Sequence, residues 1–366
     1  MKEIQMTEEQ TKSERNRNYD FLRIVCTIAV IMIHVSGSYK SAYMDINEFG
    51  NIYKDNLFIT CVFNSVSRFA VPCFVMLSGC FILADRKNAD YNFFWRKKMK
   101  KLGIPTLLFS FGYCFYQFII EMFCSGGGIE GSKKMWQLLM RFTKGIPFYH
   151  MWYMYMLIGI CFLAPFFVRI AAEIPPKDFE KITCVFTVWA SLSSCTSQYL
   201  LAWDLGKAAL YMGYFMFGHV IYERTRNKKN NFRGVCLIMG GIMIELMMAY
   251  ISYVHVLNGI AEKDEFYAVI LPQSPWIVCA SIVIFGGFSL LDIKWDFGKL
   301  PACTFYIYLF HAGVWDIVRR IMKKYGLPGI NGSFQILQYI IVVFLISAIF
   351  SAGCLSCTRR LQSRGS

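Results

Sequence analysis

Residues 19–34 read YDFLRIVCTIAVIMIH, and this stretch decides how the rest of the chain is read. With the residues that continue it to about position 40 it forms an apolar run long enough to span a bilayer as a helix, for which about 20 residues suffice. It nevertheless holds Asp20, Arg23 and His34, and ionisable groups inside a span are costly enough to mark function. Eleven residues at about 100° each make three turns plus about 20°, so Arg23 and His34 share one helix face, about 16 Å apart along the axis. Arg23 is expected at the cytosolic mouth, where a guanidinium can snorkel to an anion, and His34 past the midplane.

Working outward, the 366 residues are 56% hydrophobic and 17% aromatic. A soluble fold would have to display the surplus as large exposed patches, so composition excludes soluble enzymes and disordered tails. The net charge of +14 would suit nucleic acid, but the basic residues cluster between apolar runs and form no stripe, which argues against a nucleic-acid partner. They read as topology signals facing anionic membrane lipid or an anionic cytosolic ligand.

Ten spans are expected, at 20–40, 57–83, 104–123, 149–171, 182–203, 208–222, 234–256, 267–291, 303–318 and 335–357. The fold class is therefore all-α, a polytopic membrane protein. With the N-terminus inside, the inner segments hold 24 Lys and Arg against 12 outside, which puts both termini in the cytosol. Arg319, Arg320, Lys323 and Lys324 lie on the outer side against that rule. No internal repeat or linker marks a second domain. The expected organisation is a cytosolic segment at 1–18, a ten-helix domain at 19–358 and a basic cytosolic tail at 359–366.

Most of the 14 cysteines fall inside apolar runs, where Cys acts as a small hydrophobe, and no disulfide framework is implied. Cys354 and Cys357 lack a second Cys pair or a nearby His, so no metal site is read. The first run carries no convincing small-residue cleavage site and is expected to remain.

Four further blocks carry a resemblance. Residues 67–83 read SRFAVPCFVMLSGCFIL, and 93–105 read FFWRKKMKKLGIP. Residues 150–167 read HMWYMYMLIGICFLAPFF, and 304–318 read TFYIYLFHAGVWDIV. In this order, after an Arg and a His eleven residues apart, they resemble the acyltransferase-3 family of integral membrane acyltransferases. Arg23 and His34 match the family's first-span motif, and Arg68, Phe69, Pro72, Phe74, Ser78 and Gly79 match its second-span pattern. His150 and Trp152 match its His-Leu-Trp-Phe opening with Met151 in place of Leu, and residues 307–311 match its Ile-Tyr-Leu-Ile-His.

The resemblance implies a membrane O-acyltransferase, an O-acetyltransferase if the donor is acetyl-CoA, the usual acyl-CoA of the family. The acceptor would be a hydroxyl on a cell-envelope polysaccharide or a lipid-linked sugar. It places the chain in the bacterial plasma membrane, with no bound cofactor besides the donor and with surface-polysaccharide assembly proteins as potential partners.

On this reading His34 acts as general base on the acceptor hydroxyl, or briefly carries the acyl group, while Asp20 and Arg23 fix the cytosolic end of the path. Arg23 and Arg68 would neutralise CoA phosphates or face the thioester, and the basic loop with Arg96 and Lys97 would steer the polyanionic donor. Topology alone also explains that loop, and an ion pair also explains Arg68. His150, Trp152 and Tyr153 are expected at the outer mouth as acceptor contacts or as an aromatic belt. Tyr308 and His311 share a face for acceptor contact or a structural hydrogen bond. Ser78 and Gly79 read as helix-packing residues. Two other classes compete: a transporter of a small carboxylate or amino acid, and a non-catalytic partner in surface-polymer assembly.

Overall fold

In a computed structural model, residues 16–44, 52–124, 140–143, 146–195, 203–257, 274–325 and 333–364 are described. The expected N-terminal segment up to residue 15, most of the 124–148 loop and the last two residues of the tail lie outside them. No β-strand occurs among the described residues. The helices are α1 (Arg17–Met44), α2 (Ile52–Ser65), α3 (Ala70–Ala84), α4 (Tyr91–Lys98), α5 (Ile104–Cys124), α6 (Trp152–Glu173), α7 (Pro176–Cys195), α8 (Trp203–Thr225), α9 (Asn231–Leu257), α10 (Pro275–Leu290), α11 (Leu300–Lys324) and α12 (Ser333–Arg364).

A helix overlaps each of the ten expected runs, and six stretches are long and apolar enough to cross a membrane: Arg17–Ser38, Leu57–Ala84, Tyr91–Ile120, Trp152–Glu173, Asn231–His255 and Phe334–Ser356. The protein is thus an all-helical polytopic membrane protein. The short ninth run differs from expectation, because α11 continues through Arg319, Arg320, Lys323 and Lys324 to the end of the basic cluster. Asp316 explains part of that cluster. Its carboxylate accepts from Arg319 Nη2 at 3.1 Å, Arg320 Nε at 2.7 Å and Tyr116 Oη at 2.7 Å.

The second run is not one helix. Residues 66–69 form a turn between α2 and α3 in which Arg68 N–H donates to Ser65 O at 3.0 Å and Ala70 N–H to Ser67 O at 3.2 Å. The sequence supplies the cause. Pro72 has no N–H to offer, and in a continuous helix its ring would strike the carbonyl four residues earlier, at Arg68. Ser67 adds to the break by donating its hydroxyl to Phe63 O at 2.6 Å.

Membrane helices gain little from hydrophobic association and rely on close contact between small residues. Gly79 of α3 and Gly218 of α8 show it: a Cβ on Gly79 would lie 1.7 Å from Phe215 O, and one on Gly218 would lie 1.9 Å from Met76 O. The two backbones touch, which confirms Gly79 as a packing residue. At the end of the bundle that carries Arg23, α1 is tied to the chain after α10. Asn18 Nδ2 donates to Leu291 O, Ile293 N–H donates to Asn18 Oδ1 at 3.1 Å, and Tyr19 stacks on Phe285 with ring centroids 5.7 Å apart. This fixes the axial position of α1 and with it the height of every group on the helix.

Candidate functional site

A cavity of about 1110 Å³ opens among α1, the 66–69 turn, α3, α6, α7, α8 and α11. Its polar walls are His34, Arg68, His150, Tyr153 and Tyr308, with Trp152 beside them. Apart from Tyr211 the remainder is largely apolar, and part of it follows one face of α6 through Met156, Ile160, Leu163 and Phe167. From Trp152 to Phe167 that face rises about 22 Å.

Three imidazoles from distant parts of the chain meet here. His34 comes from α1, His150 from the turn before α6, and His311 from the middle of α11. The ring centroids of His34 and His311 are 5.2 Å apart, and those of His150 and His311 are 5.1 Å apart. His150 and His311 are buried at 1% exposure each, so His150 is an interior group and not part of a surface belt. Tyr308 Oη donates to His150 O at 2.5 Å, and Tyr113 Oη donates to Leu309 O at 2.6 Å, which locks α11 to the turn before α6 and to α5. Among the described residues, no group of three or more His, Cys, Asp or Glu is arranged to hold a metal ion.

Arg68 reaches the cavity because of the helix break. Its guanidinium donates to Asn64 Oδ1, while Asn64 Nδ2 donates to Ile33 O at 3.2 Å and to Ser36 Oγ at 3.3 Å. One amide therefore ties Arg68 to the turn of α1 that bears His34. The buried carboxyl of Glu245 in α9 lies close enough to the Arg68 guanidinium to interact with it electrostatically. Sequence reasoning missed Asn64, Tyr149 and Glu245. Tyr149 lies edge-on to His34 with centroids 4.9 Å apart. A lone acid within the apolar run 234–256 is a signal for Glu245, whereas nothing in hydropathy or spacing singles out Asn64.

Of the other expected site residues, Arg23 and Asp20 do not line the cavity. They pair with each other, Arg23 Nη1 to Asp20 Oδ1 at 3.0 Å, and the guanidinium lies over the Phe81 ring at 5.0 Å. One face of α3 runs from beneath Arg23 to the cavity wall. Between Ala70 and Leu83 every residue of α3 is buried except Val71, Phe74, Ser78 and Phe81. Their spacing of three and four places them in one stripe. The stripe starts at Val71 in the cavity wall and ends at Phe81 beneath Arg23, a rise of about 15 Å over ten residues. Arg96 and Lys97 sit on α4, outside the cavity. Lys97 Nζ lies 5.3 Å from the Phe93 ring centroid, and Lys98 Nζ lies 5.5 Å from that of Phe94.

The chain thus combines a histidine cluster deep among apolar helices with a helix face that joins the cavity wall to Arg23. No curated protein and no solved structure matches it. The model of the acyltransferase-3 family, described as an acyltransferase domain, matches residues 16–352, nearly the whole chain. A match of that extent, over the helices that build the cavity, makes this chain a member of the acyltransferase-3 family and an acyltransferase.

Proposed function

We propose that the protein crosses the bacterial plasma membrane ten times with both termini in the cytosol. It moves an acyl group, acetyl in the simplest case, from cytosolic acyl-CoA to a hydroxyl of a cell-surface glycan or lipid-linked sugar. The observation that carries this reading is the position of His34: an imidazole in the cavity wall with Arg68 and His150, near the Val71 end of the α3 stripe whose other end lies under Arg23. A thin pantetheine arm fits such a stripe, and the CoA phosphates match Arg23 with the α4 cations Arg96 and Lys97 around the mouth. Asp20 then serves to hold Arg23.

The acceptor hydroxyl enters beside His150, Trp152, Tyr153 and Tyr308, and His311, expected among them, lies behind this wall. Neutral His34 takes the hydroxyl proton as the oxygen attacks the thioester carbonyl. The oxyanion that forms is balanced by the Arg68 guanidinium, which acts with full strength where water is scarce. When the tetrahedral intermediate collapses, the C–S bond breaks and the CoA thiolate takes the proton from His34. The products are an ester and free CoA thiol, and His34 returns to its neutral state.

The test is His34→Ala in membranes of cells expressing the chain, supplied with ¹⁴C-acetyl-CoA. The variant should accumulate and insert like the parent and transfer no label to non-CoA material. Transfer at the parent's rate would remove His34 from the reaction.

A further inference from the structure

His311 stands behind His34 and does not line the cavity. Its Nδ1 is 2.5 Å from the Tyr308 carbonyl oxygen. A carbonyl can only accept, so Nδ1 carries the proton, and in a neutral imidazole Nε2 is then a lone-pair acceptor. That Nε2 is buried and has no hydrogen-bond partner among the described residues, a costly state for a polar atom. Two imidazoles neighbour it: His150, 5.1 Å away centroid to centroid with its ring plane at 79°, and His34, 5.2 Å away and tilted by 33°. At that separation one nitrogen of each ring can come within about 3 Å of the other, which is hydrogen-bond distance.

Register supports the pairing. Four residues after each histidine, Trp315 Nε1 of α11 donates to Ser38 Oγ of α1 at 3.0 Å. The same offset along both helices joins His34 to His311 and Ser38 to Trp315, so α1 and α11 are pinned one turn beyond the histidines. The Tyr113 hydroxyl, accepting from Gly313 N–H at 3.2 Å while donating to Leu309 O, braces α11 on both sides of His311.

We propose that His311 is the positioning residue of His34: its Nε2 accepts the ring N–H of His34 and so holds the tautomer whose other nitrogen presents its lone pair to the cavity. The inference rests on reading His34 as the base. It gives a neutral imidazole the part that a carboxylate plays behind the histidine of a hydrolase triad, fixing orientation and stabilising the imidazolium while the base holds the proton.

Two amide substitutions separate this role from a structural one. In His311→Asn the amide nitrogen lies where Nδ1 was and can keep the bond to Tyr308 O, but no acceptor faces His34. In His311→Gln the amide oxygen lies where Nε2 was and can accept from His34, while the Tyr308 bond is lost. Purified parent, both variants and His34→Ala are assayed with ¹⁴C-acetyl-CoA in membranes that carry the acceptor, and folding is followed by gel filtration and thermal melting. Expected are a fall in kcat of about 10²-fold or more for Asn with unchanged KM for acetyl-CoA, and a kcat within about tenfold of the parent for Gln. The reverse order, or an Asn variant at the parent's kcat, overturns the proposal while inactive His34→Ala leaves the reading of His34 standing. If Asn fails to accumulate, Gln decides alone, and a folded Gln variant as inactive as His34→Ala overturns the proposal. An active His34→Ala, or a parent that transfers nothing from acetyl-CoA or longer acyl-CoAs, removes the reading of His34 and this inference with it.

Discussion

Asn64 is the smallest group on which the geometry of the site depends, and its replacement gives a graded prediction. Its oxygen accepts from Arg68, and its amide nitrogen donates to Ile33 O and Ser36 Oγ, one residue from His34 and two residues beyond it. Asn64→Leu keeps the volume and removes all three bonds. Loss of the acceptor for a charged donor is worth about 1.5–3 kcal/mol, and this falls on the position of Arg68. A displacement of about 1 Å in a group that stabilises the transition state costs about 10²-fold in rate. Complete loss of an oxyanion contact costs about 10²–10³-fold, so kcat for the Leu variant should fall by about that range. Asn64→Asp keeps an acceptor for Arg68 and loses only the donor, so its kcat should stay well above that of Leu. The assay is label transfer from ¹⁴C-acetyl-CoA at saturating donor, alongside detergent melting curves. A Leu variant with the parent's kcat and KM would show that Arg68 needs no such anchor, or has no part in the chemistry.

Gly79→Ala places a methyl 1.7 Å from Phe215 O and should destabilise by about 1–3 kcal/mol or prevent accumulation. Gly112→Ala, where nothing lies within 4 Å, should melt like the parent, and equal melting of the two variants would refute the close contact of α3 with α8. Arg23→Ala should raise KM for acetyl-CoA by about 10-fold or more, with partial recovery in Arg23→Lys, since Lys lacks the planar fork that grips phosphate at two points. An unchanged KM in both would move the CoA phosphates elsewhere. In a background with the exposed Cys184, Cys236 and Cys279 replaced, Lys134→Cys should react with an impermeant thiol reagent from outside intact cells and Lys98→Cys should not. The opposite pattern would invert the topology.

Much of this was legible in the sequence because the membrane makes it so. Twenty-residue apolar runs can hardly fold otherwise, and a charge inside one must have a reason, which is how Arg68 and His34 stand out. The break at 66–69 was written in Pro72, but hydropathy averages over 57–83 and hides it. Arg23 and His34 are expected on one helix face, yet only tertiary packing shows that the cavity stops short of Arg23 and that one face of α3 lies between the two. His150 looked like an outer aromatic belt because Trp152 and Tyr153 follow it. Its burial depends on α11 and α5 folding over it, which no local pattern records. Asn64 carries no charge and little hydropathy, so its role exists only in three distances.

The most direct test of the account uses sealed, right-side-out vesicles loaded with ¹⁴C-acetyl-CoA, prepared from cells expressing the parent or His34→Ala. The account predicts that parent vesicles place ¹⁴C-acetyl covalently on outward-facing, alkali-labile ester while free CoA thiol accumulates inside in equal amount, and that His34→Ala vesicles do neither. Label that leaves the vesicles as an intact small solute without CoA release, or equal ester formation by the two proteins, would contradict it.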